Sequence, residues 1–336
     1  MISMRLSDWR SITIILSYLM VNVGILALQA PYDRLSAPSL KKSRPLAPDF
    51  TEIEKLDYFH LKGSLPQMSL SADLMRSRGE EEAIFSFPRG VYSLAQKKTT
   101  IRYQADEGIY QKEKELLKLL GKVKISTDES NYEATKVDYF FRQDLLVGTG
   151  EVRFSGENKD TKDTFLIEAP SMKAKPSIRY GHFIGGVKGS MERKKKYEGK
   201  MSFAAREVQL DYLKSLAHLE GDVMLQRGNY HITSGKADIY LDNFNKSLKY
   251  FVLNDDVKVT ETVSTPQGVT QRKSFSERLE GFGRENKMVL SGAPKVEQGS
   301  DVIKGYRITI RENADLVEVD DAMSDVQVKR KEKLKE

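Results

Sequence analysis

The chain has 336 residues, 39% of them hydrophobic and 30% charged, with mean hydropathy −0.49, a formal charge of +6 and a pI near 9.1. That length holds two ordinary domains or one elongated array, and the balance leaves ample apolar material for a core. The absence of cysteine excludes disulfides, thiolate catalysis, zinc-finger sites and acylation of a lipoprotein cysteine.

Taken in chain order, residues 1–10 are expected in the cytoplasm, because Arg5 and Arg10 precede an uncharged stretch from Ser11 to Ala30. At ~1.5 Å per residue, that stretch spans a ~30 Å hydrocarbon core as a helix. A cleaved signal is the competing reading, but it would set Leu28 and Pro31 where a signal peptidase wants a small residue and an extended chain. An uncleaved anchor is therefore expected at 11–30. Residues 31–50 carry four prolines and few apolar side chains, and read as a semi-extended tether. Basic residues follow the anchor (Lys41, Lys42, Arg44) and end the chain (Lys329, Arg330, Lys331, Lys333, Lys335; tail 331–336). They have neither the motif nor the interleaved aromatics of nucleic-acid binding, so they read as solvated or drawn to acidic lipid heads.

After residue 50 the pattern becomes short alternating runs broken by Gly, Asp and Asn, such as Val123–Ile125, Val152–Phe154, Tyr230–Ile232, Ala237–Leu241 and Tyr306–Ile310. Alternation puts one set of side chains on each face of a sheet, and no βαβ spacing is present. A repeat runs through it, a small or acidic pair leading into valine: Gly121 to Val123, Gly150 to Val152, Gly186–Val187, Gly221 to Val223, Asp255 to Val257, Gly292 to Val296 and Asp325–Val326. The valines are 29 to 39 residues apart, a spacing of stacked repeats, and the Gly and Asp residues are expected at hairpin ends. Each hairpin would bury its apolar face by stacking on the next, leaving sheet edges at the two ends. The segment Tyr110 to Leu120 has the composition of a short amphipathic helix, although neighbouring repeats place a strand there. The fold class expected is all-β: an elongated open β-jelly-roll of stacked antiparallel hairpins, preceded by one N-terminal transmembrane helix.

The anchor together with NYEATKVDYFFRQDLLVGTGEVRFSG (131–156) and FLIEAPSMKAKPSIRYGHFIGGVKGSM (165–191) resembles the periplasmic, single-pass component of the bacterial lipopolysaccharide-export ABC transporter, the LptC-type family. On that likeness 51–191 is an LptC-like β-jelly-roll. Residues 192–330 resemble the bridge protein of the same pathway, the LptA or OstA-like repeat, through the stretch 201–259 with its Gly-Asp-Val, Ala-Asp-x-x-Tyr and Val-x-Val elements. Carrying both modules on one polypeptide departs from the family pattern. The resemblance implies a folded-over sheet, open along one seam, in which lipid acyl chains ride while the sugar chain stays in solvent. It also implies partners: lipopolysaccharide, the inner membrane, the ABC transporter subunits at the N-terminal edge, and a bridge protein or outer-membrane assembly component at the C-terminal edge, joined by strand addition. No nucleic acid is expected.

No catalytic set is legible. His60, His182, His218 and His231 are scattered and read as solvated or turn residues, Asp255–Asp256 and Asp320–Asp321 read as turns, and Gly185 to Gly189 lacks a phosphate loop's spacing. An enzyme, a cofactor or a metal site is therefore not expected. The candidate residues are instead a lipid-groove lining: Val123, Ile125, Val152, Phe154, Phe165, Ile167, Val208, Leu210, Val223, Leu225, Ile232, Ile239, Leu248, Val257, Val259, Ile308 and Val319. The same residues would serve as plain core in the alternative, an anchored structural or regulatory β-solenoid with a closed interior that binds a protein partner.

Overall fold

The computed structural model describes residues 50–325 apart from 63–64, 79–80, 95–98, 127–129, 158–161, 176–179, 194–199, 212, 242–247, 266–267, 284, 312–315 and 322. The expected anchor at 11–30, the tether and the basic tail with Val326 lie outside the described residues. Among the described residues no helix is long and apolar enough to cross a membrane. They form antiparallel strands almost throughout, with one 3₁₀ turn at Phe141–Gln143. Two compact units are present, one made of residues up to 156 with 170–181, the other of 157–169 with 182 onward.

In the first unit β1 (Phe50–Lys62) pairs along its length with β2 (Leu65–Arg78). Two ladders then leave β2. Its residues 74–78 pair with β3 (Glu82–Ser86), whereas residues 68–71 pair with β4 (Arg89–Leu94). Next, β5 (Thr99–Gln104) pairs with β4, and β6 (Glu107–Gln111) pairs with β3. Both ladders rejoin on β7 (Leu116–Ser126), which β8 (Ser130–Phe140) and β9 (Leu145–Glu157) follow in order. β3 with β4, and β5 with β6, are thus single strands broken at mid-length, at Phe87–Pro88 and Ala105–Asp106. The breaks stay hydrogen-bonded, Phe87 N–H to the Asp106 carbonyl at 2.8 Å and Ala105 N–H to the Pro88 carbonyl at 3.0 Å. Segment 110–120 resolves as two strand ends joined by a turn: Tyr110 and Gln111 end β6, residues 112–115 turn, and Leu116 opens β7.

β10 (Thr164–Lys175) and β11 (Tyr180–Glu192) are divided between the units. The second unit continues with β12 (Lys200–Asp211), β13 (Leu216–Arg227), β14 (Tyr230–Leu241), β15 (Leu248–Thr265) and β16 (Gly268–Phe282), each paired with the next. β16 then serves two ladders. One runs to β17 (Lys287–Ser291), the other to β18 (Lys295–Gln298) and on to β19 (Asp301–Lys304). β20 (Arg307–Arg311) and β21 (Leu316–Asp320) extend the first ladder, and β22 (Met323–Asp325) the second.

The Gly-x-Val repeat explains the split. It was expected at hairpin ends, but it lies in the middle of strands, where the register slips between Leu120 and Val123 in β7, Glu220 and Val223 in β13, and Asn254 and Val257 in β15. Each site puts two successive residues at positive φ: Gly121–Lys122, Gly150–Glu151, Gly221–Asp222, Asp255–Asp256 and Gly292–Ala293. Such a bulge bends the strand sharply, and within each unit the bulges are aligned from strand to strand, so that the unit's sheet is creased and folds over on itself. Glycine and aspartate are used because they tolerate the left-handed region, not because the chain turns back there. The valine after the bulge is the innermost residue: Val123, Val152, Val187, Val223 and Val257 are each no more than 1% exposed.

Candidate functional site

Register, followed across the second unit, builds the interior row by row. Val208, Leu219, Ala237, Leu253, Leu279, Leu290, Ile308 and Val319 stand opposite one another in succession from β12 to β21, an unbroken apolar row beside the crease. All but the last, on the terminal strand, are at most 2% exposed. A second row lies in the other layer: Phe203, Leu225, Ile232, Val259, Ser274, Val296 and Ile303. A third lies further from the crease in the first layer: Leu210, Ala217, Ile239, Phe251, Gly281, Met288 and Ile310.

The candidate lining residues fall into two groups. Val123, Val152, Ile167, Val208, Leu210, Val223, Ile232, Val257, Val259 and Ile308 are buried, whereas Ile125, Phe154, Phe165, Leu225, Ile239, Leu248 and Val319 are half-buried. Exposure rises away from the crease. In the first unit it goes from Val123 to Ile125 and from Val152 to Phe154; in the second, from Val223 to Leu225, from Ala237 to Ile239 and from Leu253 to Phe251. The fold is a wedge at these strands, shut at the crease and reached by solvent at the strand ends. At β16, β17 and β20 it stays closed, with Met288 and Ile310 buried as well as Leu290 and Ile308. Leu219, Ala237, Leu253, Leu279 and Leu290 belong to the same interior and were not singled out from sequence. Only their opposition across strands gathers them, although each sits in a run of period two.

Close approach shapes the first unit's interior. Ile125, Tyr132 and Phe154 form a cross-strand row, and a Cβ on Gly148 would lie 1.7 Å from the Tyr132 hydroxyl. That hydroxyl is buried with no hydrogen-bond partner among the described residues, and burial raises its pKa. Toward the strand ends Tyr139 and Phe141 pack edge to face at 4.7 Å, and the Tyr139 hydroxyl bonds the Asp144 carboxylate at 2.9 Å.

The four histidines are on strands, not turns, whereas Asp321 lies at a bend just after β21. His182 Nε2 meets Glu207 Oε2 at 2.8 Å, and His218 Nδ1 meets Asp238 Oδ1 at 2.6 Å across β13 and β14. Among the described residues no three His, Asp or Glu side chains gather to hold a metal ion. A row of aromatic rings, Tyr240, Tyr250 and Phe282, crosses β14 to β16 beside the interior row, on the opposite face, with centroids 5.8 and 5.1 Å apart. A depression of about 400 Å³ lies there, lined by these rings with Lys249 and Glu285. Glu280, below it, accepts from Arg278 Nη2 at 2.6 Å and from the Tyr250 hydroxyl at 2.9 Å, and the Arg278 bond holds its carboxyl below the usual range.

One polar group turns inward. Arg272 and Glu261 oppose each other on β16 and β15, both buried, with Arg272 Nε and Nη2 donating to Glu261 Oε2 at 2.9 and 2.5 Å. Asn229 Nδ2 donates to the other oxygen at 3.4 Å and to the Thr262 carbonyl at 2.9 Å.

A family model described as LptA/(LptD N-terminal domain) LPS transport protein matches residues 203–315. No curated protein matches the chain. Among solved structures, the crystal structure of LptH, the LptA homologous periplasmic component of the lipopolysaccharide transport device of Pseudomonas aeruginosa, is similar at 17% identity and a TM-score of 0.35. That match covers 39% of this chain and 96% of LptH. The residues matched by the family model run from near the start of β12 to beyond β20, the stretch that holds most of the row beside the crease. Residues 203–315 are thus similar to the LptA and LptD N-terminal lipopolysaccharide-transport family.

Proposed function

We propose that the chain is a membrane-anchored periplasmic component of lipopolysaccharide export. In this reading it carries lipid acyl chains in its folded sheet from the inner-membrane ABC transporter toward the outer membrane. The observation that supports it is the wedge: an apolar row beside the crease that runs without interruption from β12 to β21, flanked by positions such as Leu225 and Ile239 that solvent reaches. An acyl chain gains about 0.8 kcal/mol per CH₂ removed from water, so passage between membranes needs such an unbroken apolar path. The segment 11–30 is the anchor in this reading, 51–191 the LptC-like part and 192–330 the LptA-like part. Among the described residues β1 is paired on one side only, as are β21 and β22. These edges are where the transporter subunits and the next bridge or outer-membrane component would add strands.

A photo-crosslinking residue placed in living cells at Phe154, and separately at Ile239, tests this. Lipopolysaccharide adducts are expected at both positions. A folded, abundant protein with no adduct at either would return the interior to a closed core and the chain to a protein-binding ectodomain.

A further inference from the structure

β16 inverts the ordinary pattern of a strand. Its inner face, read from the strand end toward the crease, is Arg272, Ser274, Ser276 and then Leu279. The outward position between the serines is Phe275, with the Lys295 ammonium 5.8 Å from its ring centroid. Arg272 is 5% exposed, Ser274 2% and Ser276 7%. The Ser276 hydroxyl is buried and makes no hydrogen bond among the described residues. Leaving a hydroxyl without a partner in an apolar interior is unfavourable, as is desolvating an ion pair there. Neither feature serves a core that is only a core.

The sequence charge, hydroxyl, hydroxyl, hydrocarbon is the polarity of an anionic lipid lying along a strand. Residues two apart on one face are about 6.8 Å apart, so Arg272 to Ser276 covers roughly 13–14 Å, the root of an acyl chain below its headgroup. The Glu261 carboxylate, seated on the guanidinium, stands in for the anion. Tyr230 and Gln298 flank the pair in the same cross-strand row, so this end of the layer is polar across four strands.

We propose that Arg272, Ser274 and Ser276 form an anion-and-oxygen subsite for an acylated phosphate. Its phosphate displaces Glu261 from Arg272, its ester or hydroxyl oxygens meet the two serines, and its hydrocarbon runs toward Leu279 and Leu290, where the layers are closed in this structure and part to admit it. The subsite rests on the lipid-carrying reading above.

The test uses the full-length chain in a non-ionic detergent and two single-chain probes with twelve carbons and a diazirine near the tail. One probe ends in phosphate, the other in a hydroxyl. Labelling of the peptides that hold Leu279 and Leu290 is followed against probe concentration. The phosphate probe is expected to half-saturate at about tenfold lower concentration, the difference expected of a charge-assisted hydrogen bond. Glu261→Gln, which removes the internal competitor, lowers that concentration further. The double variant Arg272→Met with Glu261→Met keeps the fold by replacing the pair with apolar side chains; it loses the phosphate preference and retains labelling by the alcohol. Equal half-saturation by the two probes, or a preference that survives the double variant, overturns the subsite alone. No labelling by either probe in a folded protein overturns both the subsite and the lipid-carrying reading.

Discussion

Leu253→Ala and Leu225→Ala make the same chemical change at the two depths of the wedge. Leu253 is 0% exposed in the row beside the crease, packed between Ala237 and Leu279 of the neighbouring strands. Removing its isobutyl group loses the transfer energy and leaves a cavity that the aligned bulges keep from collapsing, about 3–4 kcal/mol. Leu225 is half-buried, so only part of its side chain leaves water on folding and solvent or a neighbour fills the space, about 1 kcal/mol. For a unit of this size 1 kcal/mol moves the melting temperature by about 2–4 °C, giving shifts near ~10 °C and ~3 °C respectively. Thermal melting of the full-length chain, followed by far-ultraviolet circular dichroism, reads both. Equal shifts would mean that the strand ends are packed as tightly as the crease, and the open wedge would have to be abandoned.

Three further outcomes follow from particular contacts. Gly221→Ala is expected to cost about 1–3 kcal/mol, because φ is +80° and the new Cβ would sit 2.8 Å from the Arg206 Cβ; Gly228→Ala, also at positive φ but with nothing within 4 Å, costs about 1 kcal/mol, and urea titration compares them. Arg272→Met alone leaves the Glu261 carboxylate buried without its cation and lowers stability by about 3–5 kcal/mol, whereas the double methionine variant is within about 1 kcal/mol of the parent in the same titration. Glu280 is held ionised by its bond to Arg278, so its contribution is present above the unfolded carboxylate range near pH ~4.3 and fades as pH falls through its lower folded value. Glu280→Gln therefore flattens the melting temperature against pH on the acid side and leaves the relative slope above pH ~6 unchanged.

Strand identity was legible because alternation survives at the level of single residues: Val257, Val259 and the register that follows need only period two. The repeat was legible too, but its geometry was not. Gly and Asp signal positive φ equally well in a two-residue hairpin and in a mid-strand bulge, and nothing local to Gly221–Asp222 says whether the chain reverses or merely bends. What separates them is the partner strand, which lies elsewhere in the sequence. For the same reason most of the interior row is not legible: Leu279 and Leu290 become neighbours of Leu253 and Ile308 only through register. The inward pair was the least visible. Glu261 and Arg272 look like surface charges beside Thr and Lys, and Phe275 would be assigned inward by any hydrophobic pattern. The bulge resets which parity faces the crease, and β16 then uses that parity for Arg and Ser.

The crease also bears on how such a chain lengthens. The Gly-x-Val element recurs once for every two strands, so each hairpin brings its own bend, its own innermost valine and matched apolar positions on either side. A tandem duplication of one hairpin would insert a complete cross-section, adding roughly 9–10 Å of reach with no new junction to invent. Growth by whole hairpins preserves the interior rows, whereas insertion of a single residue ahead of a bulge would flip the following half-strand inside out. Length in such a family is therefore expected to vary in steps of two strands, with insertions tolerated at the hairpin tips and excluded from the bend.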